Sequence, residues 1–127
     1  MSRKVFVFLI ILASALLLYG QDSPTVTIKG YLIDNACTRH ADKEVNYDEQ
    51  VRKHKTSCAL MLSCVRSGFA VFSEGKLYRL DETGNKSALD LLKSTTTKDG
   101  FLVVVEGRLE GEVLRVTKIT EVKATTE

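Results

Sequence analysis

All three cysteines and both histidines of this chain fall between Cys37 and Cys64, and no other feature constrains its fold as strongly. The order is Cys37-x2-His40, followed after a polar stretch by His54-x3-Cys58-x5-Cys64. Thiolate and neutral imidazole are good donors to borderline and soft cations. Cys37, His40, His54, Cys58 and Cys64 therefore form a candidate site for one Zn2+ or Cu+. Asp34, just before Cys37, could orient a ligand imidazole through its other ring nitrogen, or simply cap the turn there. A disulfide framework would leave one of three thiols over. A Cys58–Cys64 or Cys37–Cys64 bridge with one buried thiol is the competing reading, and a reactive, redox-active Cys37 is a third.

Residues 1–20 read as a secretory signal, with Arg3 and Lys4 ahead of an apolar run from Val5 to Leu18. That run is shorter than the ~20 residues a spanning helix needs, so no stable membrane anchor is expected after cleavage. The remainder, 21–127, is expected to be one exported domain, periplasmic or secreted, without repeats or linkers. Arg3 and Lys4 account for the whole formal charge of +2, so the mature chain is formally neutral. A neutral domain lacks the basic excess of a strong nucleic-acid binder, and no nucleic-acid partner is expected.

Thr25–Asp34 alternates in the manner of a strand, with Gly30 marking a bulge or barrel bend. A helix is expected to start at Asn46, an N-cap with Glu49 three residues on. On that helix Tyr47, Val51, His54 and Cys58 share one face, and His54 and Cys58 at i, i+4 can reach one ion. The helix must end or bend near Leu62–Ser63 if Cys64 is to join them. Phe69–Ser73 and Lys76–Leu80 flank a two-residue turn, Glu74-Gly75. Asp81–Asn85 reads as a polar loop and Ser87–Lys93 as a short helix. Two further strands, Phe101–Leu109 and Glu112–Val122, meet at Glu110-Gly111, and Ala124–Glu127 should fray. The expected class is mainly β with short helices (α+β). The order of five strands, with a helix between the third and fourth, suggests a small OB-like barrel, with a helical Cys/His insert over about 35–67 between strands 1 and 2; a five-stranded sheet capped by the short helix, without closure, is the alternative. Met61 and the aromatic residues Tyr31, Phe69, Phe72, Tyr78 and Phe101 are assigned to the core.

The segments GYLIDNAC, HKTSCALMLSC, SGFAVF and GKLYRLDETGN together resemble a family of small exported bacterial proteins of unknown function. In these an Asp-x-x-Cys segment and a His-x3-Cys-Ala-Leu-Met segment precede OB-like strands. The resemblance spans nearly all of the mature chain and implies the fold and export, but no activity. The family pattern has a proline where this chain has Leu62.

No Cys-x-x-Cys, HExxH, nucleophile elbow or phosphate loop is present, so no catalysis is expected. The leading expectation is an exported, non-catalytic domain that binds a metal ion through the Cys/His cluster, structurally or as a carrier. The alternative is a disulfide-stapled OB-like module holding an oligosaccharide, a peptide or an envelope protein.

Overall fold

A computed structural model describes residues 23–38 and 47–123. The leader at 1–20, His40, the Asn46 cap and the C-terminal Ala124–Glu127 lie outside the described residues. Among the described residues no helix is long and apolar enough to cross a membrane.

Strands dominate a mixed α+β architecture. They are β1 (Thr25–Asp34), β2 (Phe69–Ser73), β3 (Lys76–Leu80), β4 (Leu102–Glu110) and β5 (Val113–Glu121). Short helices α1 (Asn35–Thr38), α2 (Tyr47–Arg52), α3 (Thr56–Ala59) and α4 (Leu62–Ser67) fill the connection from β1 to β2, and α5 (Glu82–Ser94) links β3 to β4. The sheet runs β1-β2-β3-β5-β4 and closes on itself. All pairs are antiparallel except a short parallel β3–β5 seam, in which Arg79 faces Val113 and Leu80 faces Leu114.

β1 serves two ladders. Its first part pairs with β4 from Thr25 to Tyr31, and its last part pairs with β2 from Tyr31 to Asp34. Gly30 sits at this hand-over with an unbroken register, so it marks a bend and not a bulge. A Cβ there would lie 2.2 Å from the Phe72 carbonyl oxygen, so only glycine allows the close crossing. The β2–β3 hairpin turns through Glu74 and Gly75, both with positive φ, as tight two-residue turns require. The β4–β5 hairpin turns at Gly111-Glu112, one residue later than the sequence suggested. A bulge at Glu106/Gly107 disturbs the register there, which accounts for the irregular alternation of β5.

Strand alternation sends Leu32, Val71, Val103, Val105, Leu114 and Val116 into one core with Phe69 and Phe101, closed at the side by Ala88 and Leu92 of α5 and by Ala59 of α3. Ile33 and Phe72 face the other way and, with Val51 of α2, build a second, smaller core that Tyr31, Cys37, Tyr47 and Leu77 flank. The helical insert is thus packed on the outer face of β1 and β2. Met61, expected inside, is 56% exposed at the junction of α3 and α4.

The helical pattern departs from expectation twice. Asp81–Asn85 is not a loop: Asp81 Oδ1 accepts from the Gly84 N–H at 2.9 Å, and this N-cap starts α5 well before Ser87. The expected continuous helix from Asn46 is broken between α2 and α3. Lys55 is extended (φ −79, ψ 135) and bridges Asp99. The Thr56 N–H donates to the Lys98 carbonyl at 2.9 Å, and the Gly100 N–H donates to the His54 carbonyl at 3.1 Å. Backbone groups that a helix would have used are bound instead by the loop before β4.

Candidate metal centre

The insert brings its cysteines together through three separate anchors. The first is the end of β1, where Asp34 accepts the Cys37 backbone N–H on Oδ1 at 2.9 Å and so caps α1. The second links α1 to α4: the Asn35 N–H donates to the Gly68 carbonyl, and the Ala36 N–H donates to Ser67 Oγ at 3.0 Å. Ser67 Oγ in turn donates to the Cys64 carbonyl at 2.6 Å, which sets Cys64 beside Cys37. The third fixes α3, whose Thr56 side chain donates to the Thr97 carbonyl at 2.9 Å and thereby positions Cys58. The bend that Cys64 needs forms at Met61, which is extended (φ −63, ψ 141); no proline is required.

One donor atom from each of Asp34, Cys37, Cys58 and Cys64 lies within 4.8 Å of the other three. A tetrahedral shell with Zn–S bonds of about 2.3 Å puts its sulfurs about 3.8 Å apart. The cluster needs to contract by no more than about 1 Å to meet that geometry. Asp34 and Cys64 are buried, while Cys37 and Cys58 are half-buried. All three cysteines are free thiols, so neither Cys58–Cys64 nor Cys37–Cys64 is bridged.

His54 takes a different place from the one its spacing suggested. With Lys55 extended, His54 and Cys58 do not share a helix face as an i, i+4 pair. The imidazole turns to Asp34, its Nε2 lying 3.1 Å from Oδ2. The approach is close but not aligned as a directed N–H···O bond, so each atom is left without a hydrogen-bond partner in the protein. Asp34 thus stands among the donors and His54 beside it, the reverse of the expected arrangement. The Asp-x-x-Cys spacing was the available signal for the carboxylate, because capping a turn at Cys37 also brings Asp34 to the sulfurs.

Burial tends to raise the Asp34 carboxyl. The His54 imidazole and the Cys37 backbone N–H and thiol outweigh it and lower the group to about 2. Burial, followed by the Asp34 charge, pushes the Cys37 thiol strongly up. The same causes raise Cys64. Without a cation these two sulfurs are neutral at pH 7. A cavity of about 530 Å³ opens beside the cluster, lined by Glu49, Gln50, Lys53, His54, Lys55 and Cys58. Cys58 is the one member of the four-donor group on its wall.

Comparisons with protein-family models, with curated proteins and with solved structures find no match.

Proposed function

We propose that this is an exported, non-catalytic OB-like domain that binds one Zn2+ or Cu+ through Cys37, Cys58 and Cys64, with Asp34 Oδ2 as the fourth donor. The observation that carries the reading is the approach of four donor atoms to within 4.8 Å at a largely buried position. Three sulfurs select a soft or borderline ion over magnesium or calcium. Asp34 Oδ1 is engaged by the Cys37 amide, while Oδ2 has no hydrogen-bond partner, which suits it to a ligand role. His54 Nε2, 3.1 Å from that oxygen, stands beside the carboxylate and outside the donor set. The position of Cys58 on the cavity wall favours a site that is loaded and unloaded over one sealed during folding.

Burial holds the Cys37 thiol neutral, which makes it a poor nucleophile and supports a non-catalytic role. The cyclic strand order and the helix between β3 and β4 support the OB-like assignment. The leader-like first twenty residues support export.

Native mass spectrometry of the protein purified without chelator is expected to find one bound metal ion, and alkylation after chelation and denaturation to find three free thiols. Cys58→Ser should abolish stoichiometric binding, and a variant that still holds one equivalent would sink the assignment. A metal-free protein two protons lighter than its reduced form would instead indicate a disulfide staple.

A further inference from the structure

Among the described residues, four buried side-chain polar atoms have no hydrogen-bond partner: Asp34 Oδ2, Tyr47 OH, Gln50 Oε1 and His54 Nε2. Three of them come from residues 47–54, and the fourth is the carboxylate that faces His54. Buried polar groups are nearly always satisfied, so their collection at one place calls for a cause. Asp34 and His54 already have one in the metal reading. Tyr47 does not.

The Tyr47 ring is held edge-on against Phe72, with centroids 4.9 Å apart and planes at 75°. Tyr47 and Cys37 flank the same small core of Ile33, Val51 and Phe72. A phenol ordinarily titrates near ~10, so at pH 7 the hydroxyl is a donor. A neutral thiol is a weak hydrogen-bond acceptor, whereas a charged acceptor binds a donor roughly twice as strongly. We infer that the Tyr47 hydroxyl is a positioning donor for the Cys37 sulfur in its metal-bound thiolate form, left unpartnered in the metal-free protein. The inference rests on the metal site proposed above. It implies opposite effects of one oxygen atom: a burden on the metal-free fold and a support to the loaded one.

Tyr47→Phe removes that oxygen and keeps the ring against Phe72. Zn2+ affinity is measured by competition with a chromophoric chelator. Co2+ loading reads the sulfur-to-metal charge-transfer band, and thermal melting of the chelated protein reads the metal-free fold. The variant should bind Zn2+ about tenfold more weakly, as loss of an outer-sphere partner typically does. Its charge-transfer band should shift, and its metal-free melting temperature should equal or exceed that of the wild type. An unchanged affinity, an unchanged band or a less stable metal-free variant would each overturn the inference while leaving the metal site standing. Failure of the wild type to bind either ion would remove the metal site itself, and this inference with it.

Discussion

Asp34 is the one buried charged side chain among the described residues, with 0% exposure. Its ionisation is therefore coupled to folding. Against the effect of burial, the His54 imidazole and the Cys37 groups hold its carboxyl at about 2, below its ordinary value of 3.8. A lowered value means stability that is complete above the unfolded value and lost as pH falls through the folded one. In the metal-free protein that contribution is about 2 kcal/mol. Urea denaturation of chelated wild type should show stability falling by about this amount between pH 5 and pH 2. Asp34→Asn should be less stable at pH 5 and lose the part of the acid dependence that Asp34 contributes. An equal acid dependence in both proteins would assign the effect to other carboxylates. The residue's presence near the sulfurs could be read from Asp-x-x-Cys, but its rank over His54 could not. That rank depends on where the imidazole points, which the i, i+4 rule gets wrong once the helix is broken.

The break between α2 and α3 is set from outside its own sequence. Nothing in Arg52-Lys53-His54-Lys55 forbids a helix, and the basic face even suits one. The segment instead gives its hydrogen bonds to residues 97–100, through Thr56, Lys55 and His54. Contacts more than forty positions apart leave no periodic signal in a sequence. Gly100 makes this crossing possible, with φ +59 and a Cβ position only 2.5 Å from the Arg52 carbonyl oxygen. Gly100→Ala should cost about 1–3 kcal/mol, since alanine is strained at positive φ and clashes with backbone here. Denaturant unfolding checks the stability, and chelator competition should show weaker metal retention because His54 and Cys58 flank the break. Elements whose bonds are local were legible: the four strands of the two hairpins follow alternation and turn residues. The first turn of α5 was hidden by Asp81–Asn85, whose composition suits either a loop or an N-terminal cap.

At the scale of the whole molecule, a closed barrel is joined to an insert held by few anchors. The five strands and their single intervening helix were readable from the sequence, because alternation and turns act within neighbouring residues. Closure was an inference from strand order alone, and it rests on only two residue pairs between β3 and β5. Metal binding at the proposed site would act on the insert, since the four candidate donors come from the end of β1, α1, α3 and α4. Native-state hydrogen exchange should therefore slow on Zn2+ addition chiefly at 34–67 and 97–100, with little change along β4 and β5. Uniform protection across the barrel would mean that the insert and barrel unfold as one unit. The anchoring has a further consequence through the rung where Asp34 faces Phe69. The insert leaves and re-enters the sheet at neighbouring positions of a single ladder, so its length and its cysteines can vary without altering barrel register. Substitution or trimming of the cysteines is thereby confined to a single surface excursion, whereas Asp34, on the rung itself, belongs to the sheet and to the candidate site alike.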